Sequence, residues 1–195
     1  MTHADFPPAG SEPLEIAEGG IVRFREFFED LHSRWIKLER CQHYDESGFD
    51  AYEAFLRGER GQTRRLIRRM VKNQFVYPLA RERGIEMTRI RVFERPVTSY
   101  LRDFEALAYE ADEEMGERIF LVPEETARLT LGKVGDFLIF DEKLLVCLVY
   151  SQETPARLLS AWANRDPSTI RQYVNIANKL IARSERFSDN PQALS

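Results

Sequence analysis

The side chains in this 195-residue chain whose type and spacing could do chemistry are mostly cationic. Between Arg57 and Arg95 stand twelve lysines and arginines against four acids, a local charge of +8, while the rest of the chain carries −12. Arg65, Arg68, Arg69 and Lys72 follow at i, i+3, i+4 and i+7, which places them on one face of a helix. Extended by Arg57, Arg60 and Arg64, such a face suits the phosphates of a nucleic acid, an acidic protein partner, or acidic helices of the same chain. Arg89 and Arg91 would widen the patch if the strand that carries them has an open face. Aromatic side chains for base stacking are sparse here, and helix-turn-helix or zinc-finger spacing is absent.

A second set is acidic. Asp136, Asp141, Glu142 and Lys143 lie in and between two apolar runs, and Asp141 with Lys143 is similar to the (Asp/Glu)-x-Lys hairpin of restriction-like nucleases. Metal-assisted hydrolysis would need a further carboxylate converging from elsewhere, with Glu117 and Glu125 as the candidates. Asp-Glu-Lys between apolar strands is also what a tight turn looks like, and the turn is the favoured reading. The three histidines, His3, His32 and His43, lack a second ligand at helical spacing. No GxSxG elbow, GxGxxG or GxxxxGK[ST] loop occurs. We assign no catalytic residue, no metal ligands and no cofactor from the sequence.

The elements that must position these groups are readable from periodicity. Phe24, Phe28, Leu31, Trp35 and Leu38 step by 4, 3, 4 and 3 and predict a helix from Ile21. A shorter helix follows over 49–57, closed by Gly58. The basic helix spans 62–77, with Leu66, Ile67, Met70, Val71 and Phe75 on its apolar face and Pro78 breaking it. Gly84 caps a short continuation. A strand over 85–93 puts Ile90 and Val92 on one face and Arg89 and Arg91 on the other. A helix opening at Thr98 or Ser99 runs to Gly116, and a strand over 118–122 leads to a helical turn at Pro123. Strands 136–140 and 144–150 form a hairpin, apolar enough to lie mid-sheet. Thr154-Pro155 and Asp166-Pro167 each read as a cap followed by proline and predict two closing helices.

The predicted fold is α/β or α+β, a central mixed sheet of about 4–5 strands with helices at both chain ends. Residues 20–187 form one domain: a helical layer over 20–58, an αβ core over 59–150 and C-terminal helices over 151–187. Residues 1–19, rich in proline and glycine, are expected to be a disordered tail, and 188–195 a second tail. Two cysteines, Cys41 and Cys147, argue against a disulfide framework and for a reducing compartment. The N-terminus lacks a signal-peptide pattern and no apolar run reaches membrane-spanning length, so a cytoplasmic protein without membrane contact is expected.

The motifs carry two resemblances. Lys37-Leu38-Glu39 with Tyr44, Phe55-Leu56-Arg57-Gly58, Arg89-Ile90-Arg91-Val92, Pro96-Val97-Thr98-Ser99-Tyr100-Leu101-Arg102, Gly116-Glu117-Arg118-Ile119 and Asp136-Phe137-Leu138-Ile139-Phe140-Asp141 occur in order over about 130 residues. Together they resemble an uncharacterised actinobacterial-type family, a domain of unknown function often encoded beside helix-turn-helix regulators. Lys37 departs from an arginine usual in that family and Leu138 from a tryptophan. The resemblance implies a regulatory or interaction role and brings no activity. A helix-Arg-Gly-Ile-strand unit followed by the Asp136–Asp141 hairpin also looks like half of a phospholipase-D-type domain. Active members of that group need His-x-Lys-x4-Asp; no histidine follows His43, so the likeness implies a degenerate, non-catalytic version.

The expected function is a non-enzymatic regulatory or interaction module acting through a small ligand or a protein partner, with a transcription regulator as one such partner. A nucleic-acid-binding accessory using the basic helix is the first alternative, and a cryptic phosphodiesterase or nuclease the second. Glu39, Tyr100, Glu105, Glu117, Asp136 and Asp141, with Arg89 and Arg91, form either a shared pocket or a buried polar network, and the network is favoured.

Overall fold

The computed structural model describes residues 6–17 and 20–195. In chain order the elements are β1 (Glu12–Leu14), β2 (Ile16–Ala17), β3 (Gly20–Ile21), α1 (Phe24–Glu29), β4 (Arg34–Glu39), α2 (Asp50–Leu56), α3 (Arg60–Lys72), α4 (Val76–Arg83) and β5 (Glu86–Phe93). A π-helical turn, Leu101–Glu105, then leads into α5 (Ala106–Glu114), followed by β6 (Arg118–Pro123), α6 (Glu124–Leu131), β7 (Asp136–Phe140), β8 (Leu144–Tyr150), β9 (Leu158–Asn164), α7 (Pro167–Ile181), β10 (Glu185–Arg186) and a 3-10 turn, Pro191–Leu194.

One mixed sheet of eight strands organises the chain, in the order β1-β9-β8-β7-β4-β5-β6-β10. It is wider than the four or five strands expected. Its centre, β4-β5-β6, is parallel, and β4-β7-β8-β9 is antiparallel. The parallel steps need crossovers. Helices α2 to α4 connect β4 to β5, and the π turn with α5 connects β5 to β6.

The sheet is covered on both faces. Trp35, Met87, Phe93, Ile119, Leu121, Leu138 and Phe140 pack beneath α1 to α5. Ile36, Leu38, Ile90, Val92, Val122, Phe137 and Ile139 pack beneath α6 and α7. This double burial erases the in-out alternation that would have announced β4. Its apolar residues, read together with those of α1, mimicked one long helix from Ile21; the chain in fact breaks at Asp30–Ser33. The second helix expected at Thr154-Pro155 is also corrected. That stretch is a loop entering β9, whose Leu-Leu-Ser-Ala-Trp-Ala-Asn sequence does not alternate. The basic helix ends at Lys72, earlier than expected, and Pro78 sits harmlessly in the first turn of α4.

Neither described terminus is a free tail. Residues Glu12–Leu14 pair with Ala161–Ala163, and Asn164 Nδ2 donates to the Ala9 carbonyl at 3.3 Å. Residues 1–5, which include His3, lie outside the described residues, as do 18–19. At the other end Leu194 is buried and Arg95 Nη2 donates to the Ala193 carbonyl.

The β7–β8 hairpin turns at Asp141 and Glu142, whose positive φ of 50° and 55° suits the twist of a tight hairpin. The Asp141 carboxylate accepts the backbone N–H groups of His32, Ser33 and Arg34 at 2.8, 2.7 and 3.0 Å. It also accepts the Ser33 hydroxyl at 2.7 Å. Burial would raise its pKa, but these donors outweigh it and hold it below the usual value. Asp141 thus staples the hairpin to the start of β4. Asp141→Ala frees three backbone donors and should cost about 2–3 kcal/mol of stability, read as a lower urea midpoint at unchanged m-value.

Candidate functional site

β5 carries the centre of the site. Alternation places Arg89 and Arg91 on the same face, beside Lys37 and Glu39 of β4 by register. Helix α5 closes over that face, so both guanidiniums are buried, Arg91 completely. They are therefore no extension of the basic surface, which corrects that expectation. A buried guanidinium cannot lose its proton and must be paired.

The pairing is dense. Arg89 grips Glu117 with Nε to Oε1 at 3.0 Å and Nη2 to Oε2 at 3.1 Å. Its Nη2 also lies 3.1 Å from Asp112 Oδ2, and its Nη1 3.6 Å from Glu39 Oε2. The Tyr77 hydroxyl lies 2.5 Å from Asp112 Oδ1 and 3.2 Å from Glu117 Oε2. Arg91 donates to the Cys41 carbonyl at 2.6 Å and more weakly to the Tyr44 hydroxyl at 3.4 Å. Lys37 Nζ completes the set, 2.5 Å from Glu39 Oε1.

The network continues to the edge where β4, β5 and β8 end. The Tyr44 hydroxyl donates a short hydrogen bond to Asp136, and the Arg40 N–H donates to the other Asp136 oxygen at 2.9 Å. The Tyr100 hydroxyl lies 2.6 Å from Glu46 and 2.9 Å from Glu105, so one hydroxyl sits between two carboxyls. His43 stacks on Tyr100 at 4.4 Å, and its Nε2 bonds the Tyr52 hydroxyl at 2.8 Å.

Burial and charge together explain the protonation pattern. Three cations, Lys37, Arg89 and Arg91, share this region with six carboxyls: Glu39, Glu46, Glu105, Asp112, Glu117 and Asp136. Glu39 touches all three cations; they outweigh the burial that would raise its pKa and hold it down to about 2. Burial pushes Asp136 up to about 6. Burial and the neighbouring Glu117 push Asp112 up to about 7 against the pull of Arg89. Burial and Glu105 likewise push Glu46 up to about 7.

Above this floor lies a cleft of about 550 Å³, lined by Arg40, Cys41, His43, Lys133, Asp136 and Tyr150, with Phe6 at one side. It opens at the carboxyl ends of the strands, where open α/β sheets hold ligands. Its reactive groups are quieted. The Cys41 thiol bonds the His43 carbonyl at 3.5 Å, and burial raises its pKa. Burial lowers the pKa of His43. Among the described residues no group of three His, Cys, Asp or Glu side chains is placed to hold a metal ion.

The expected site residues therefore divide. Glu39, Tyr100, Glu105, Glu117, Asp136, Arg89 and Arg91 come together inside. Asp141 stands apart at the other end of β4. On the outer surface Arg57 pairs with Glu59, Arg64 with Glu110 at 2.6 Å and Arg68 with Glu114 at 2.8 Å. Arg60, Arg65, Arg69 and Lys72 are exposed. Sequence reasoning missed Asp112, Tyr77, Glu46 and the 151–156 loop beside the cleft. Asp112 sits in an acidic run, Ala111-Asp112-Glu113-Glu114, in which nothing separates the buried acid from the half-buried Glu113 and the exposed Glu114.

Residues 22–190 match a family model described as "Domain of unknown function (DUF6879)". No curated protein matches the chain. Among solved structures, the chain is similar to Nuc, a phospholipase D family member from Salmonella typhimurium, with a TM-score of 0.52 over 91% of this chain and 97% of that one. Sequence identity is 6%, so the likeness is one of fold.

Two outcomes follow for the network. Arg89→Met strands Glu117 and Asp112 and should cost about 3–5 kcal/mol in urea denaturation, whereas exposed Arg65→Ala should fall within about 0.5 kcal/mol of wild type. Glu46 has a folded pKa raised above its unfolded one. Its stabilising contribution is complete below about pH 4.5 and is lost as pH rises through about 7. The fall in stability between pH 5 and pH 8, to which Asp112 and Asp136 also contribute, should therefore be shallower in Glu46→Gln, as measured by denaturation midpoints across that range.

Proposed function

The chain belongs to this family of unknown function, and from that premise we propose that it is a non-enzymatic regulatory module that binds a small polar ligand in the carboxyl-edge cleft. The observation that carries the reading is the prior commitment of Asp136, His43 and Cys41 at the cleft floor. Asp136 has both oxygens engaged, His43 is tied to Tyr52, and the Cys41 thiol is pushed away from its reactive thiolate. A nucleophile or general base needs a free position toward substrate. The sequence also lacks any His-x-Lys pair, the element that the phospholipase-D resemblance would require for catalysis. A phospholipase-D-like scaffold without that pair keeps a cleft and loses the chemistry.

A regulatory role inside the cytoplasm, with a transcription regulator among the partners, belongs to the same reading through the motif resemblance. The nuclease alternative loses support because Asp141 is spent on three backbone N–H groups far from the cleft. The nucleic-acid alternative loses support because Arg89 and Arg91 are buried and Arg64 and Arg68 are paired.

The test is a thermal-shift screen with polar metabolites, run beside hydrolysis of bis(p-nitrophenyl) phosphate with and without divalent metal. A ligand that raises Tm in wild type, and fails to do so in the cleft-filling Ser151→Trp, supports the proposal. Phosphodiester turnover that disappears in Asp136→Asn or Asp141→Ala contradicts it.

A further inference from the structure

One wall of the cleft is brought from far away in the chain. Phe6 lines it beside Lys133, Gly135 and Asp136, yet Phe6 lies ahead of residues 22–190, the stretch that the family model matches. The segment that carries it wraps the β9 edge of the sheet. Leu14 packs with the core beneath α1 to α5, and Phe6 with the core beneath α6 and α7. Between them Glu12–Leu14 pair with Ala161–Ala163. The buried Asn164 donates its Nδ2 to the Ala9 carbonyl at 3.3 Å and to Ser11 Oγ at 3.2 Å.

The seat of Phe6 is shaped to its ring. A Cβ at Gly135 would stand 2.8 Å from Phe6 Cε1 and 3.2 Å from Cζ. The φ of Gly135 is not left-handed, so the backbone does not demand glycine there; the ring does. The attachment is otherwise light. None of residues 6–17 is buried, whereas Leu194 at the other end is. The pairing with β9 is three residues long, and Pro13 at its centre has no N–H to give it. A segment with so little buried surface opens without the core. Pro7, Pro8 and Pro13 restrict the released chain, which keeps the entropic cost of reseating small.

We infer that residues 6–14 are a releasable strap and that Phe6 is a gate on the cleft. Seated on Gly135, the ring narrows the approach to Cys41, His43 and Asp136. Swung away with the strap, it leaves a wider mouth. The inference deepens the ligand-binding reading above, on which it rests: the fraction of molecules with the strap released sets the apparent affinity of the cleft. The N-terminal segment is thereby an intramolecular competitor of the ligand.

The experiment follows modification of Cys41 by a dithionitrobenzoate thiol reagent on the full chain under native conditions. Cys41 lines the cleft and is half-buried, while Cys147 is fully buried and serves as the internal check on folding. Phe6→Ala removes the gate, and Gly135→Ala unseats it from the other side. Each should raise the Cys41 rate several-fold, with Cys147 untouched. Rates are corrected for thiolate fraction from the pH profile of each variant, so that a shifted thiol pKa does not imitate opening. The double variant should be no faster than Phe6→Ala alone, because both substitutions act on one contact.

A Cys41 rate unchanged in Phe6→Ala overturns the inference. Additive acceleration in the double variant does too, since it would separate Gly135 from the seat of Phe6. Labelling of Cys147 together with Cys41 also overturns it, because the segment would then hold the fold together instead of covering the cleft. The readout needs no ligand, so the two readings fail separately. A compound that raises Tm through the cleft, with the Cys41 rate unchanged in Phe6→Ala, sinks the strap and leaves the ligand-binding proposal. Gating of Cys41 with no such compound leaves the strap as a cover and sinks the small polar ligand.

Discussion

Two guanidiniums in the middle of a covered sheet are the constraint on which the rest of this structure depends. Arg89 and Arg91 stay charged at any pH the protein meets, and α5 seals them from water. Desolvating such a charge without partners would cost several kcal/mol. Neighbouring elements therefore supply oxygens to them. β4 gives Glu39, α5 gives Asp112, the turn into β6 gives Glu117, and the stretch after β4 gives the Cys41 carbonyl and the Tyr44 hydroxyl. The strand register, the seat of α5 and the path of the 40–46 loop are coupled through these contacts. Burial, with neighbouring carboxylates adding to it, leaves Glu46, Asp112 and Asp136 with pKa values of about 7, 7 and 6.

This arrangement separates charge facing in from charge facing out. The basic middle of the sequence divides among the core (Arg89, Arg91), contacts with α5 (Arg64, Arg68), contacts with other segments (Arg57, Arg83, Arg95) and a remainder on the surface of α3 and α4. The proposed ligand cleft lies where the inner network reaches the strand ends. In this scaffold, similar in fold to a phospholipase D family member, the internal polar groups are used for structure.

Much of the fold was legible in the sequence. β5, β6, the β7–β8 hairpin and α7 appear where periodicity and turn residues place them, and Asp166 caps α7 through the Thr169 N–H at 2.7 Å. The failures share a cause. β4 and β9 are covered or bordered on both sides, so neither shows alternation, and each happens to carry helix-like spacing or a proline cap signal. The edge strands β1 and β10 are three and two residues long, held by backbone pairing that no side chain announces. In the site, alternation correctly set Arg89 and Arg91 opposite Ile90 and Val92. Whether that opposite face met water or a helix depended on the crossover through α5, which is a property of topology. Tyr100, Glu105 and Glu117 were grouped by the family motif; Asp112 and Tyr77 carried no local signal.

The most direct measurement is a carbon-detected NMR titration of the side-chain carboxyls, with the exchange of arginine Nε protons followed in the same samples. With Arg89 and Arg91 charged and paired inside the protein, Glu39 should stay ionised down to about pH 2, Glu46 should titrate near 7, and the Nε protons of Arg89 and Arg91 should exchange slowly. A Glu39 carboxyl that titrates at its ordinary value near 4.5, with guanidinium protons exchanging as fast as those of Arg65, would show the two arginines open to solvent and would contradict the account.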